Sequence, residues 1–406
     1  MRILAIEPGF PPELTSAHLP FEFSSELVKR KHDVTVVTPF PRLNLVVGAC
    51  TKSEGKFFKW EEIEGVSILR MLPQFKSKSL VTRAAENSLL PVTLFIGGLL
   101  VGKKDVVHCV SPPFLLTLTA CVLGKVTRSP VVLRIQDLHP DALVKIGLIK
   151  NKALIKTLEV LETFVYRCAD HITVIAEGYR KHIVSKGITP SKVTLIPNWS
   201  DTLNVKSSQS SSFSKGSYLE GKFVVTYAGT MSWPQDLATI IEAANLLKNH
   251  GEIAFLMVGD GVQKDSLKKR ANDLKLKNVV FMPLQKRDKY FEIISSSDVC
   301  VVPLKKSYTS PTAPSKMLDI MMCGKPVIAN VPAKSDVSSI VNQAGCGLVV
   351  ESENPEAFKD AILKLYYESE LRAQFCNNGK EFVEKRLSLK NCLDEYEQLL
   401  LKLTEV

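Results

Sequence analysis

The stretch best equipped for chemistry is residues 310–330, SPTAPSKMLDIMMCGKPVIAN, which reads as a loop, a short helix, a stop signal and a buried strand. Pro314 suits a first helical turn, because its missing N–H and fixed φ cost little there, and Thr312 just upstream is placed to cap. The first-turn amides near Ser315, Lys316 and Met317 then have no partner inside the helix, and the helix dipole adds partial positive charge at that end. A phosphate suits such an end. Lys316 adds a full positive charge, and Asp319, about one turn on, is placed to accept hydrogen bonds from hydroxyl groups. A diphosphate carrying a ribose fits this pair; the alternative is a capped amphipathic helix whose Asp319 is merely solvated. Gly324 ends the helix, and Lys325-Pro326 prevents its continuation before the apolar run 327–329.

Such a helix needs a sheet beneath it. Short apolar runs recur between helical patterns at residues 3–6, 34–37, 66–69, 106–110, 131–135, 172–175 and 193–196. They restart after residue 217 at 223–227, 253–258, 279–282, 299–302, 327–329 and 348–350. Runs this short and continuous read as parallel strands buried on both faces, so the chain is α/β with two Rossmann-like domains. A Ser-rich run over 207–217 is too poor in apolar residues to pack, which places the first domain at 1–205, a linker at 206–219 and the second domain at 220–380. The last helical stretch, 381–406, keeps Leu389, Leu393, Tyr396, Leu400 and Leu403 near one face and is expected to pack back on the first domain.

The 406 residues are long for one core, and 45% hydrophobic content supports globular domains. Nine scattered cysteines, odd in number and without a CxxC pair, argue against disulfides and a zinc knuckle. The first apolar run breaks at Pro8-Gly9, too early for a signal-peptide core, so a cytoplasmic location is expected. Residues 1–200 hold 26 Lys and Arg against 17 Asp and Glu, whereas residues 201–406 hold 26 against 25. The first domain therefore carries nearly all of the +10 net charge, which implies an anionic surface facing that domain or simply a basic solvated face. Within it, Lys76, Lys78 and Arg83 precede the apolar run 89–101, and Lys103-Lys104 follow. This pattern reads either as a core helix or as a contact with anionic lipid in which Leu94, Phe95 or Leu99 inserts.

Ligands of open α/β sheets bind beyond the carboxyl ends of the strands. In the second domain those ends give Gly229-Thr230, Gly259-Asp260-Gly261, Met282-Pro283 and Pro303-Leu304. In the first they give the 8–16 loop with Thr15 and Ser16, then Ser111-Pro112, Gln136-Asp137 and Asn198-Trp199. No GxGxxG follows a strand, since Gly259-Asp260-Gly261 lacks the third glycine, and there is no Walker loop. Neither an Asp-x-Asp nor a His/Cys set at ligand spacing is present, so no metal and no resident cofactor is expected.

Taken together, these residues resemble the family 4 glycosyltransferases of the GT-B fold, over nearly the whole chain. The likeness is carried by Pro11-Pro12-Glu13, by Lys31-His32-Asp33-Val34, by Ala169-Asp170 leading into His171-Ile172-Thr173-Val174, and by Ile196-Pro197-Asn198. Asp137-Leu138-His139-Pro140, with 197–201 and Ala313-Pro314-Ser315-Lys316, is similar to the branch that assembles colanic acid, O-antigen and other surface polysaccharides. The resemblance implies two domains facing an interdomain cleft, a nucleotide-sugar donor such as a UDP-sugar, and transfer with retention to a lipid-linked or glycan acceptor. It implies donor contacts from Ser315, Lys316, Asp319, Gly229, Thr230 and Met282, acceptor contacts from Thr15 and Ser16, and roles near the reacting sugar for Gln136 and Asp137.

The chain departs from that family at several positions. The E-x7-E pair falls on Pro311 and Asp319, and the Arg and Lys that usually hold the diphosphate fall on Thr230 and Gln235. Lys316 and the amides after Pro314 must then carry more of the diphosphate. A histidine of many relatives falls on Gln136, leaving Asp137 to orient the acceptor or take its proton, or else to cap a turn. His139 and His108 are lone histidines, for which satisfied core or surface positions are the ordinary alternative. A nucleotide-sugar 2-epimerase and a non-catalytic subunit share the architecture and stand as the competing readings. Nucleic acid is not an expected partner, because the basic residues lack interleaved stacking aromatics.

Overall fold

The computed structural model describes residues 1–13, 18–41, 56–72, 80–145, 147, 149–200, 218–308, 311–312 and 314–405, with the backbone alone described over 80–87. The chain divides into two compact units, residues 1–197 with 390–406, and residues 198–389. Thr15, Ser16, Lys76, Lys78 and all of the Ser-rich run lie outside the described residues.

The first unit holds β1 (Arg2–Ile6), β2 (Asp33–Pro39), β3 (Phe58–Ile63), β4 (Val66–Met71), β5 (Val106–Ser111), β6 (Val131–Ile135), β7 (His171–Val174) and β8 (Val193–Leu195). Their order is β3-β4-β2-β1-β5-β6-β7-β8. All neighbours are parallel except β3, which pairs antiparallel with β4. Seven of the eight follow the apolar runs, while β3, FKWEEI, has no such run and is added by pairing at the sheet edge. Polar residues on one of its faces are held: Arg70, fully buried in β4, donates to Glu61 at 3.1 Å.

Helix Leu80–Val101 resolves the apolar run into two faces. Leu90 and Leu94 are buried in the unit, and Gly97 lets the helix lie so close to the sheet that a Cβ would come within 2.6 Å of Val37. Leu94 is therefore a core residue and cannot insert into lipid, which corrects the expectation for that position; Leu99 is exposed and Phe95 half-buried.

Helix Leu389–Thr404 packs on the first unit. Tyr396 is fully buried there, its hydroxyl 3.0 Å from Thr173 Oγ1, its ring 5.2 Å from that of Phe23 and 5.5 Å from the Arg134 guanidinium. At the rim Arg30 pairs with Asp394 at 2.7 Å and Glu397 at 2.8 Å, and His32 Nε2 lies 2.7 Å from Glu397. The preceding helix, Ser369–Arg386, belongs to the second unit. The C-terminal stretch is thus shared between the units at residues 389 and 390.

The second unit holds β9 (Phe223–Ala228), β10 (Ile253–Val258), β11 (Val279–Met282), β12 (Val299–Pro303), β13 (Val327–Asn330) and β14 (Gly347–Val350). They form one parallel sheet in the order β11-β10-β9-β12-β13-β14. Helices cover both faces, giving a core on each side of the sheet.

Candidate functional site

The second sheet reverses its strand order between β9 and β12, the position where an open α/β sheet leaves a crevice beyond its strand ends. Helix Ser315–Met322 follows β12 there. Pro314 stands just before it in an extended conformation, with ψ 123°, and its carbonyl accepts from Met317 N–H at 3.0 Å. No side chain caps this end; Thr312 instead donates its N–H to Asp336 Oδ2 at 3.3 Å, which corrects the capping role expected of it. The C-terminal end closes as the pattern predicts, with Gly324 at φ 63° and Lys325 N–H on the Ile320 carbonyl at 3.1 Å.

Lys316 leans from this helix across the end of β9. Its Nζ lies 4.5 Å from the centroid of the Tyr227 ring, 3.3 Å from Gln235 Oε1 and 3.5 Å from the Tyr227 hydroxyl. The side chain as a whole is only partly buried, but its ammonium end is desolvated against these groups, and burial alone pushes its pKa down to about 7. Gly229 packs against the Lys316 side chain at the end of β9, and its φ of 151° favours glycine there. Gly259 after β10 is required for a different reason: a Cβ would lie 1.9 Å from the Gly229 carbonyl oxygen. The loops after β9, β10 and β11 are joined through their backbones, Gly229 N–H to Val258 O at 2.9 Å and Gly259 N–H to Met282 O at 3.1 Å. Met282 is partly buried with its carbonyl engaged in this way, and the Thr230 carbonyl accepts from the Tyr227 hydroxyl at 2.7 Å.

Asp319 is 7% exposed, so it is not a solvated surface carboxylate. Its Oδ1 accepts from Ser200 Oγ at 3.0 Å and stands 3.8 Å from Arg287 Nη2. Ser200 is tied to the same unit by its N–H on the Leu387 carbonyl at 3.2 Å. Arg287 escaped the reading of the sequence. It opens helix Arg287–Ser296, a few residues beyond β11, and sits in the run QKRDK, where nothing local separates it from its solvated neighbours.

In the first unit, Gln136 and Asp137 follow β6. Gln136 N–H donates to Ser111 O at 2.9 Å and its carbonyl accepts from the Tyr179 hydroxyl at 3.2 Å, which fixes the turn against β5. Asp137 is partly buried, and desolvation pushes its carboxyl up to about 6. Burial lowers the pKa of His139, against the opposing pull of Glu162. His108 is a core residue of β5, stacked on Phe23 at 4.6 Å and 3.7 Å from the equally buried Glu7.

Among the described residues, Asp141, Glu162 and His182 are the one trio that could hold a metal ion. They come from three helices, so no spacing in the sequence reveals them. Lys186 already pairs with Glu162, and the Tyr166 hydroxyl donates to it at 2.9 Å, so this carboxylate has its charge met by protein groups.

Two family models match in tandem. The glycosyl transferase 4-like domain covers residues 21–199, and glycosyl transferases group 1 covers residues 209–382, the part that holds Lys316 and Asp319. The chain is a glycosyltransferase of the GT-B fold. This glycosyltransferase is 24% identical over 420 residues to the putative colanic acid biosynthesis glycosyl transferase WcaI of Escherichia coli, covering 98% of each chain. It is 28% identical over 264 residues to the probable glycosyltransferase WbjE of Pseudomonas aeruginosa, covering 64% of this chain and 66% of that one. Among solved structures, Anabaena Alr3699/HepE in complex with UDP superposes with a TM-score of 0.73 at 14% identity, over 99% of this chain and all of that one. WaaG, a glycosyltransferase involved in lipopolysaccharide biosynthesis, superposes with a TM-score of 0.67 at 16% identity, over 98% and 99%.

Proposed function

We propose that the glycosyltransferase moves a sugar, with retention, from a nucleotide-sugar donor of the UDP class to a hydroxyl of a lipid-linked or glycan acceptor during assembly of a surface polysaccharide or glycoconjugate. The observation that carries this reading is the Lys316 ammonium, held at the switch point of the second sheet 3.3 Å from Gln235. The resemblance puts a diphosphate-binding lysine at position 235; the Lys316 ammonium, 3.3 Å from Gln235 Oε1, would supply that charge from another residue. Together with the first-turn amides of Ser315 and Lys316 it would neutralise the leaving diphosphate. Asp319, beside Arg287 and Ser200, would accept from ribose hydroxyls. Alr3699/HepE has been solved with UDP and with UDP-glucose, which supports the donor class.

In the first unit, a carboxyl raised to about 6 is ionised at neutral pH yet basic enough to take part of a proton. We assign Asp137 to the acceptor hydroxyl, with Gln136, Thr15 and Ser16 among the acceptor contacts. The acceptor oxygen bonds to the anomeric carbon as its bond to the diphosphate breaks, and the acceptor proton passes to the departing phosphate oxygen or to Asp137. No metal or resident cofactor is needed in this scheme, because protein groups meet the developing charge. We place the enzyme peripherally on the cytoplasmic face of the membrane.

A panel of nucleotide-sugars, read by mass detection for hydrolysis and transfer with and without EDTA, tests the proposal. Turnover of a UDP-sugar that survives EDTA is expected. Turnover confined to another nucleotide, or complete and metal-reversible loss, would refute the donor class or the metal-free scheme respectively.

A further inference from the structure

Three helices cover one side of the first sheet, and each exposes large apolar side chains where water-facing helices are ordinarily polar, the third of them among exposed Lys156, Glu159 and Arg167. Helix Leu80–Val101 turns out Leu89, Val92, Ile96, Leu99 and Leu100, 37–56% exposed and spaced on one face. Helix Phe114–Thr127 lies beside it, Thr119 Oγ1 donating to the Pro91 carbonyl at 3.2 Å, and turns out Leu115, Val122 and Val126 at 41–59%. Helix Lys152–Cys168 follows, its Val165 carbonyl 3.8 Å from Cys121 Sγ, and exposes Leu154, Val160 and Phe164 at 48–64%.

The edge strand extends this face. Phe58 pairs with Met71 and Trp60 with Leu69 across the β3/β4 ladder, and such partners share a side of the sheet. Met71 points to helix Leu80–Val101, its Cγ 3.0 Å from where a Cβ on Gly97 would stand. Phe58 and Trp60, 42% and 49% exposed, therefore project on the same side as the three helices. The second unit has no counterpart among its described residues: Tyr218, Trp233, Leu246, Val262, Leu284 and Tyr367 are exposed one by one from separate elements.

The margin of the face is basic. Lys56 precedes the aromatics, Lys103 follows the first helix, Lys125 and Arg128 end the second, and Lys150, Lys152 and Lys156 stand at the start of the third. None of the described helices is long and apolar enough to cross a membrane. We infer that this face lies flat on an anionic lipid bilayer, with aliphatic side chains at the boundary between headgroups and acyl chains, Phe58 and Trp60 at headgroup level, and the basic margin against lipid phosphates. The inference deepens the membrane-face location proposed above. A second copy of the chain is the poorer occupant, because a self-paired face would bring like-charged margins together.

The test uses the full-length protein with vesicles of equimolar phosphatidylglycerol and phosphatidylcholine. Wild type is expected to sediment with them at low salt, to sediment less with phosphatidylcholine alone, and to show a vesicle-induced blue shift of fluorescence that Trp60→Phe removes. Val92→Ser/Ile96→Ser and Phe58→Ser/Trp60→Ser should each weaken vesicle binding about tenfold or more, with native circular dichroism and unchanged UDP affinity. Wild type that ignores these vesicles at low salt would overturn the inference. So would a solution dimer that Val92→Ser/Ile96→Ser dissociates, which would make the face a self-interface. UDP binding and donor turnover in vesicle-free buffer separate the two readings: normal values without lipid binding remove the docking face alone, and lost UDP binding removes the donor assignment alone.

Discussion

Lys316 in the second unit and Asp137 in the first are opposite in charge, yet burial drives both toward the same pH. The ammonium falls to about 7 and the carboxyl rises to about 6, each through loss of water at the end of a strand. In the proposed function one group would gain a proton when the diphosphate arrives, and the other would receive one while still ionised at neutrality. Neither shift needs a charged partner. The contrast shows that the sheet edge supplies the desolvation, and residue type decides which chemistry results.

The sharpest way to break the comparison is at the carboxylate. Asp137→Asn should lower kcat about a hundredfold or more if the group takes the acceptor proton, while UDP affinity stays put. Wild-type kcat should rise with pH and level off above about 6, because only the ionised carboxylate accepts, and the variant should lose that inflection. A kcat within threefold of wild type would leave Asp137 as a turn residue.

Next in size is Lys316→Met. UDP should bind roughly tenfold to a hundredfold more weakly, the range for a charge-assisted hydrogen bond, while uridine is little changed. In the free protein most Lys316 is neutral at pH 8, so UDP binding should draw a proton onto it, and affinity should fall as pH rises above about 7. Calorimetry in buffers of different ionisation enthalpy reads that uptake, and equal losses for UDP and uridine would contradict the phosphate role.

Asp319→Ala should cost about tenfold, and equally for UDP and uridine, because its proposed partner is the ribose. Unchanged nucleoside affinity would mean that Asp319 serves only to anchor Ser200 and Arg287.

Much of this frame was legible in the residues. Continuous apolar runs gave thirteen of the fourteen strands, since strands buried on both faces must be apolar throughout. The missing one, β3, alternates Phe, Lys, Trp and Glu because only one of its faces is covered, and its partner strand rather than its own pattern makes it a strand. At the candidate site, the helix start that carries Lys316 was legible because helix-start chemistry is local. Arg287 was not, because its value comes from standing 3.8 Å from Asp319, a residue far along the chain. The run 89–101 could be read as core or as interface; the helix turned out to have a core side and an exposed side, which composition cannot separate but helical phase can.

The helix that carries Tyr396 sets the order in which the molecule can be finished on the ribosome. The first sheet is synthesised first, yet Phe23, Thr173 and Arg134 receive their covering ring only from residue 396 of 406. At translation rates of about 5–20 residues per second, that surface waits on the order of ten seconds or more, while the entire second unit emerges. The first unit thus lacks part of its own core until residues 390–406 are synthesised.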